Sequence, residues 1–380
     1  SDGHKHLYFH KVDGPQIYQI TKGAWEVDNV LAIDQVNELI YFTSTEVGPT
    51  ERHIYSIDFQ GEDKKQLTTE EGWHTAEFSQ DCSVALHSYT SATKPHVYTI
   101  KNKAWETVRV VEDNADFIAR NSTFNMGEIA FDKLKVNGVE LNYYMIKPAN
   151  FNDSTAYPML MHVYGGPGSQ TAKNSFGYSN YYWHQMLANK HGVIVVSVDN
   201  RGTGARGEEF KKMTYEQLGK YETEDQIAAA KVLGELSYID ATRVGIWGWS
   251  YGGYMSSLAL AKGNDVFKMA IAIAPVTNWR FYDNIYTERY MGLPKDNADG
   301  YDNNSPINFV KDIKGKYLIV HGTGDDNVHF ENSVMMVDEL IKNNIPFDSE
   351  FYPNKNHGIY GGFTRLHLYN KMTNFVLENL

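Results

Sequence analysis

Residues 244–252 read Val-Gly-Ile-Trp-Gly-Trp-Ser-Tyr-Gly, an apolar strand-like run that ends in a Gly-x-Ser-x-Gly motif. A helix-forming stretch begins directly after it, at Gly253. In this strand-turn-helix context the motif is typical of a nucleophile elbow, a sharp turn that strains the serine backbone and lifts its hydroxyl above the sheet. Glycines must flank the serine because larger side chains would collide with the neighbouring strand and helix. We therefore predict that Ser250 is a catalytic nucleophile.

Apolar runs alternate with amphipathic stretches on both sides of this motif, from about Phe131 to the end of the chain. Such alternation is typical of an α/β fold with a doubly wound, mostly parallel sheet. The sequence therefore predicts an α/β-hydrolase domain over residues 126–380, with its active-site residues in loops at the carboxyl ends of the strands. The predicted strands are 141–147, 158–164, 193–198, 244–247, 317–320 and 349–352, and the predicted helices are 182–189, 222–236, 253–262, 330–343 and 364–380.

A serine nucleophile needs a base, and the base needs a carboxylate that orients it. In this fold the three residues follow the chain order Ser, Asp, His. Asp325 is the predicted carboxylate because it stands in the loop after strand 317–320, four residues beyond His321, whereas Asp326 is expected to serve the turn. His357 is the predicted base because it follows the next strand and precedes a glycine. Three other histidines lack one or more of these features: His321, His329 and His367.

The oxyanion of the reaction needs two hydrogen-bond donors. One should be the backbone N–H of Tyr251, the residue after the nucleophile. The second should come from the loop after strand 158–164, which reads Tyr164-Gly165-Gly166-Pro167-Gly168. Either a backbone N–H or the Tyr164 hydroxyl could serve, and spacing alone leaves a structural role for Tyr164 open.

The first 125 residues follow a different pattern, a repeat of short strands. His6-Leu7-Tyr8 recurs 47 residues later as His53-Ile54-Tyr55 and 43 residues after that as His96-Val97-Tyr98. The stretch 21–25 is echoed by 69–73 at a spacing of 48. Such periods are typical of β-propeller blades, and the alternative is a chance similarity between the hairpins of one sandwich. The sequence predicts a partial all-β propeller of about two and a half blades over residues 1–125.

Charge and composition exclude several classes of function. The formal net charge of -12 argues against nucleic acid as a partner and disfavours an anionic membrane surface. Cys82 is the only cysteine, so no intrachain disulfide can form. No run of about 18 apolar residues occurs, so we expect no membrane segment in this chain. Histidines and carboxylates do not cluster at ligand spacings, so neither a metal nor another cofactor is expected.

Three long strings resemble the prolyl oligopeptidase family, in its dipeptidyl peptidase IV branch of bacterial type. They are residues 247–254, with the sequence WGWSYGGY, residues 286–294, with YTERYMGLP, and residues 321–329, with HGTGDDNVH. The similarity runs through the whole hydrolase half, and the blade-like half fits the family's propeller. The resemblance implies a serine peptidase that cleaves peptides after a penultimate proline or alanine and releases dipeptides.

The resemblance also implies roles for individual residues. Tyr164 becomes the side-chain donor of the oxyanion hole, and Asn327 a contact to the carbonyl of the substrate backbone. An aromatic pocket suits a flat pyrrolidine ring that has no N–H, although ordinary packing is the alternative for these side chains. The implied proline pocket consists of Tyr282, Tyr286, Trp279, Val276 and Val328.

The family binds the free amine of its substrate through paired glutamates, which we expect upstream of residue 1. Neither Glu70-Glu71 nor Glu112-Asp113 stands in a matching context, and both are interpreted as solvated turns. Propellers normally close with at least four blades, so these residues are expected to be the C-terminal part of a longer chain, unless a second chain supplies blades. The resemblance implies a homodimer built on helices 330–343 and 364–380. It favours a periplasmic or secreted location, although a cytoplasmic one stays open.

Two alternatives to a dipeptidyl peptidase remain. One is a relative with another specificity, an acylaminoacyl peptidase or a prolyl endopeptidase, which the 286–294 string disfavours. The other is a propeller-based binding protein whose hydrolase half is inactive, which an intact elbow and triad disfavour.

Overall fold

The short strands of the first 125 residues pair into antiparallel sheets of blade size. The computed structural model describes residues 2–380. In the part before Met126, the elements are β1 (Tyr8–His10), β2 (Gln16–Gln19), β3 (Val27–Asp34), β4 (Leu39–Ser44), β5 (His53–Asp58), β6 (Lys65–Gln66), β7 (Trp73–Phe78), β8 (Val84–Ser91), β9 (Lys94–Asn102), β10 (Thr107–Glu112) and helix α1 (Ala115–Asn121). Strands β3-β4-β5-β6 form one four-stranded sheet, β7-β8-β9-β10 form a second, and β1 pairs with β2. Four-stranded antiparallel sheets are typical of propeller blades, the fold predicted for this part of the chain.

Two of the three copies of the sequence repeat share a buried hydrogen-bonded contact. His6 Nδ1 lies 3.0 Å from the Thr21 hydroxyl, and His53 Nδ1 lies 3.2 Å from the Thr68 hydroxyl. In both copies the backbone N–H of the residue after the histidine donates to the same threonine, at 2.9 and 3.0 Å. The structural counterpart of Thr21 is therefore Thr68, one residue before the Thr69 that the sequence echo aligns with it. His96 of the third copy is exposed and lies 3.2 Å from the Ser88 hydroxyl instead.

A row of buried histidines crosses the second four-stranded sheet. His74 Nε2 lies 2.7 Å from the carbonyl oxygen of Glu70, so this nitrogen is a donor. His74 Nδ1 then accepts from His87 Nε2 at 3.0 Å, and His87 Nδ1 accepts from the Thr99 hydroxyl at 3.2 Å. These roles require both rings to be neutral. Burial lowers the pKa of His74 to about 4 and that of His87 to about 3.

Two short segments from the C-terminal part of the chain belong to the blade-bearing unit. The main-chain N–H of Asn174 donates to the carbonyl of Thr50, and its side-chain oxygen accepts from the N–H of Ala92, both at 2.8 Å. The rings of Phe176 and Phe117 lie 5.9 Å apart. The first unit is the chain up to Asn125 together with Lys173–Tyr181 and Gly204–Lys211, and the second is Met126–Ala172, Tyr182–Thr203 and Lys212–Leu380.

The apolar runs of the C-terminal part form an eight-stranded sheet. Its strands are β11 (Ile129–Val136), β12 (Val139–Ile146), β13 (Tyr157–His162), β14 (Ile194–Val198), β15 (Ile239–Trp249), β16 (Met269–Ile273), β17 (Lys316–Gly322) and β18 (Asp348–Tyr352). The helices are α2 (Tyr181–His191), α3 (Glu208–Lys212), α4 (Lys220–Gly234), α5 (Tyr251–Lys262), α6 (Asn284–Met291), α7 (Ala298–Asp302), α8 (Glu331–Lys342) and α9 (Thr364–Asn379), with two 3-10 helices, Trp279–Phe281 and Pro306–Asp312.

The order of the strands, β11-β12-β14-β13-β15-β16-β17-β18, places the elbow near the middle of the sheet. β12 is antiparallel to both of its neighbours, β11 and β14, whereas the six strands from β13 to β18 are parallel to one another. The chain moves one way from β13 to β14 and the other way from β15 to β18. Because crossovers between parallel strands are right-handed, this reversal puts helices on both faces. The predicted α/β-hydrolase architecture is confirmed.

The reversal in the order of the strands also marks the place where an active site is expected. In such sheets a crevice opens at the carboxyl ends of the strands where the order reverses, here between β13 and β15. β14 and β16 are buried throughout, which explains their continuous apolar composition. Most predicted elements lie within three residues of the observed bounds, but β16 and the hairpin strand β11 were not among the predicted strands.

Candidate active site

The elbow at Ser250 has the backbone strain that its sequence predicts. Ser250 has φ 62° and ψ -120°, in the left-handed half of conformational space that non-glycine residues avoid. Its N–H donates to the carbonyl of Ile273 at 2.8 Å, which ties the turn to β16. A Cβ on Gly248 would lie 2.3 Å from the Gly252 backbone, and a Cβ on Gly252 would lie 2.1 Å from the Val163 carbonyl oxygen. Both glycines are therefore required by close backbone approach.

Asp325 and His357 meet at the carboxyl ends of β17 and β18. His357 Nδ1 lies 2.7 Å from Asp325 Oδ2, and the Asp325 side chain is fully buried. Asp325 Oδ1 accepts from the N–H groups of Asn327 and Val328, at 2.9 and 3.0 Å. The neighbouring Asp326 is exposed and lies on the wall of a cavity instead.

His321 is a partner of Asp325 that the sequence did not identify. Its Nε2 lies 3.1 Å from Asp325 Oδ2 and 2.9 Å from the Val328 carbonyl, both acceptors, so this nitrogen donates. Burial favours a raised pKa for Asp325, but hydrogen bonds from His321 and His357 outweigh it and hold that pKa well below its usual range. The carboxylate is therefore ionised, with its charge directed at His357. The four-residue spacing between His321 and Asp325 is the only signal the sequence carried.

The His357 loop lies against the elbow. The Trp249 indole N–H donates to the carbonyl of His357 at 2.9 Å, and Trp249 directly precedes Ser250. The His357 side chain is 24% exposed, which leaves its ring accessible to a substrate. The hydrogen bond through Trp249 joins the predicted base to the segment of the predicted nucleophile, although the two are 108 residues apart in sequence.

The loop after β13 holds Tyr164 beside the same elbow. The Tyr164 ring centroid lies 6.0 Å from that of Tyr251, and Tyr164 is 39% exposed. Gly165 has φ 75°, and its carbonyl accepts from the buried Asn200 side chain at 3.0 Å. The backbone N–H of Tyr251, at the start of α5, has no partner within its own helix, as is general for the first residues of helices. These two groups are the predicted oxyanion donors.

The predicted proline pocket contains a cluster of aromatic rings. Trp279 lies 6.0 Å from both Tyr282 and Tyr286 by ring centroids, and these two tyrosines lie 5.4 Å apart. Trp279 also lies 5.5 Å from Tyr251, so the cluster adjoins the elbow.

The remaining residues of the predicted pocket border this cluster or its loops. The Tyr282 hydroxyl donates to Asn327 Oδ1 at 2.8 Å. Val328 is fully buried beside Asp325, and Val276 is buried in the segment between β16 and Trp279. Tyr282 and Asn327 also line a cavity of about 790 Å³.

Glu222 is a second residue that the sequence did not identify. It lies in the first turn of α4 and is fully buried, and its Oε1 accepts from the Tyr251 hydroxyl at 2.7 Å. Burial raises the pKa of Glu222 to about 7, against the weaker effect of its hydrogen bonds. No feature of the sequence indicates this contact, because a glutamate in a helix rich in charged residues usually faces solvent.

Residues 2–380 contain neither a metal-binding cluster nor a membrane-spanning helix. No group of three or more His, Cys, Asp or Glu side chains in that range could hold a metal ion. No helix in the same range combines the length and apolar character needed to cross a membrane.

Comparison with known proteins gives consistent matches. Residues 179–380 match the prolyl oligopeptidase family, and residues 1–96 match the dipeptidyl peptidase IV N-terminal region. Probable dipeptidyl-aminopeptidase B of Arthroderma otae is 37% identical over 94% of this chain and 40% of its own length. The corresponding protein of Aspergillus terreus is 37% identical over 99% of this chain and 42% of its own length.

Two solved structures resemble the chain. Dipeptidyl peptidase 4 of Porphyromonas gingivalis is 42% identical with a TM-score of 0.95, and the match covers 100% of this chain and 53% of that one. A putative dipeptidyl aminopeptidase IV from Bacteroides ovatus is 27% identical with a TM-score of 0.87, over 99% of this chain and 54% of that one. The chain thus spans about half the length of these relatives or somewhat less.

Proposed function

This chain belongs to the prolyl oligopeptidase family, and we propose that it carries the catalytic half of a serine dipeptidyl peptidase. The observation that carries the proposal is the hydrogen bond between the buried Asp325 and the accessible His357, beside the strained Ser250 elbow. The same observation favours an active hydrolase over an inactive binding protein, because a binding protein has no need of a strained serine beside a histidine that is hydrogen-bonded to a buried carboxylate.

The proposed reaction proceeds through an acyl-enzyme. His357 accepts the proton of the Ser250 hydroxyl as its oxygen attacks the substrate carbonyl, and the ionised Asp325 stabilises the imidazolium. The oxyanion receives hydrogen bonds from the Tyr251 N–H and the Tyr164 hydroxyl. His357 then protonates the departing amine, and water releases the dipeptide in a second round of the same steps. Asp325 is suited to this role because its pKa is depressed and it stays ionised throughout.

We propose that specificity for proline or alanine at the second substrate position comes from the aromatic cluster. Trp279, Tyr282 and Tyr286 contact one another through their rings, so they form a rigid apolar wall. A pyrrolidine ring is flat and has no N–H, so it leaves no donor unpaired against such a wall, and alanine is small enough to enter. Asn327 is proposed to contact the substrate backbone from the rim.

The residues that bind the free amine of a substrate are not assigned. Glu70 and Glu71 are exposed side chains in a turn, and the Glu70 carbonyl is occupied by His74. Glu112 and Asp113 are also exposed and accept from the N–H groups of the next two residues. The carboxylates of Glu112 and Asp113 thus have a local structural role, and those of Glu70 and Glu71 are interpreted as solvated turn charges, so neither pair is proposed as the amine site.

We also propose the domain division 1–125 and 126–380 along the chain, with Lys173–Tyr181 and Gly204–Lys211 as segments of the second part that belong to the blade-bearing unit. We further propose a homodimer formed through α8 and α9. Both helices present large apolar side chains to solvent: Val334 and Ile341 on α8, and Leu366 and Leu377 on α9. Burial of such side chains favours association by about 25 cal/mol per Å². Light scattering should show a dimer, and a monomer at micromolar concentration would contradict the assembly.

The function is tested with two reagents. A fluorophosphonate probe should label the chain, and Ser250→Ala should abolish labelling while the fold is retained. Gly-Pro-anilide should then be cleaved faster than N-acetyl-Ala-anilide. Faster cleavage of the acetylated substrate would indicate an acylaminoacyl peptidase, and absence of labelling would indicate an inactive hydrolase half.

A further inference from the structure

Glu222 has a place in the fold that the proposed reaction does not explain. It is fully buried on α4, outside the triad and the aromatic pocket. Its Oε1 accepts from the Tyr251 hydroxyl at 2.7 Å, and the backbone N–H groups of Gly219 and of Glu222 itself also act on the carboxyl and lower its pKa. Within residues 2–380, however, Oε2 has no partner at hydrogen-bond geometry. A half-satisfied buried carboxyl costs stability, so a compensating role is expected.

Tyr251 links this carboxyl to the reacting centre. It directly follows Ser250, and its N–H is one of the proposed oxyanion donors. Its ring contacts Tyr164, the other proposed donor, and Trp279 of the aromatic cluster, at centroid distances of 6.0 and 5.5 Å. The far end of the Tyr251 side chain is fixed by Glu222.

The groups that face Glu222 come from three helices. They are Tyr251 and Tyr254 on α5, Tyr286 on α6 and Asp225 on α4 itself. The Tyr254 hydroxyl is occupied by the carbonyls of Leu218 and Asn304, at 2.8 and 2.7 Å. Tyr251 is therefore the side chain through which Glu222 can act on the site. Burial raises the pKa of Glu222 to about 7, so below neutral pH the carboxyl is mostly protonated and still accepts through Oε1.

We propose that Glu222 is a positioning residue for the oxyanion hole, acting through its hydrogen bond to the Tyr251 hydroxyl. The bond holds the Tyr251 ring, which in turn sets the position of its own N–H and supports the ring of Tyr164. This role rests on the proposed function. A misplacement of reacting groups by about 1 Å costs about 10²-fold in rate, so loss of the bond should act mainly on kcat.

The test compares two substitutions at one position. Glu222→Gln keeps an oxygen acceptor for Tyr251, and Glu222→Leu removes it. With Gly-Pro-anilide, the Gln variant should keep kcat within about 3-fold, and the Leu variant should lose about 10- to 100-fold in kcat with KM changed less than about 3-fold. Thr223→Val is the matched control, because Thr223 is the adjacent buried residue and its hydroxyl has no partner within residues 2–380. It should leave kcat and KM unchanged.

Tyr251→Phe removes the same bond from the other end and serves if Glu222→Leu does not fold. It should lower kcat as much as Glu222→Leu, and the double variant should be no worse than either single one, because they break one interaction. Full additivity of the two effects, a loss confined to KM, or an equal loss in the Gln variant would overturn the proposal.

The rate of fluorophosphonate labelling separates this proposal from the proposed function. The probe forms its own oxyanion on Ser250 and needs no dipeptide recognition. If no anilide is cleaved but labelling is slowed by Glu222→Leu and not by Glu222→Gln, the peptidase assignment fails and the positioning role stands. Equal labelling rates in both variants would refute the positioning role.

Discussion

The buried carboxyl of Glu222 makes a quantitative prediction about stability. An unfolded glutamate titrates near 4.5, whereas burial raises the pKa of Glu222 to about 7 in the folded protein. Between these values the folded state holds more protons than the unfolded one, so the free energy of unfolding falls as pH rises. One pKa unit corresponds to about 1.36 kcal/mol, so the full loss approaches about 3 kcal/mol.

Glu222→Gln cannot ionise and should escape this loss. At about pH 5 the variant and the natural protein should have comparable free energies of unfolding, and at about pH 8 the variant should be more stable. Between these pH values the difference in the free energy of unfolding should grow by up to about 3 kcal/mol. For a domain of this size 1 kcal/mol shifts Tm by about 2–4 °C, so the gap in Tm should widen by about 6–12 °C. Differential scanning calorimetry at several pH values measures it.

Other titratable groups affect the natural protein and Glu222→Gln equally, so they do not change the difference in stability between the two. Burial lowers the pKa of His162 to about 4, which gives a pH dependence of opposite sign, but it is present in both proteins and cancels. Glu224→Gln, at a partly exposed position on the same helix, is the matched control for an amide in α4. A Tm difference between Glu222→Gln and the natural protein that does not change from pH 5 to 8 would refute the reasoning.

The remaining predictions concern the triad, the oxyanion hole and the histidine row. Ser250→Ala, Asp325→Asn and His357→Ala should each nearly abolish turnover, and their effects should not add when they are combined. Asp326→Asn should retain most activity. If Asp326→Asn were the damaging change and Asp325→Asn the mild one, the assignment of the carboxylate would be wrong. Tyr164→Phe should keep the fold and lower kcat by ~10²- to 10³-fold, and a change mainly in KM would make Tyr164 a binding residue instead. Because burial lowers the pKa of His74 and His87 to about 4 and 3, their contribution to stability is complete above about pH 6.5 and is lost as pH falls. His87→Gln should therefore weaken the acid dependence of unfolding, measured by circular dichroism from pH 7 to 4, and an unchanged slope would contradict it.

The elements around the elbow could be predicted because their signals are local. The glycines at 248 and 252 belong to a motif that is recognisable within one strand-turn-helix unit, although the Gly252 contact is with Val163 of the neighbouring chain segment. Asp325 and His357 follow strands with apolar patterns. β16 was not predicted although Gly263-Asn264-Asp265 separates it from α5, because a five-residue apolar run cannot be told from a buried helical segment by its periodicity.

Contacts made by tertiary packing could not be predicted in the same way. Glu222 and Tyr251 are 29 residues apart, and nothing in either segment indicates that the two side chains meet. The same holds for His321, which reads as the polar end of a strand until the fold brings it against Asp325. Polar side chains reveal such roles only when their burial and partners are known, because the sequence pattern of a helix or strand records its apolar face.

The two segments Lys173–Tyr181 and Gly204–Lys211 have a consequence for how this protein can recombine with its relatives. They are encoded within the hydrolase half, yet they pack in the blade-bearing unit, where Asn174 bonds to Thr50 and Ala92. A chimera joined at residue 125 would therefore combine a foreign blade region with two native segments that match the original one. A functional exchange between family members therefore needs three grafts. Because Thr50 and Ala92 contribute only main-chain atoms to these bonds, the residue whose side chain must be kept is Asn174.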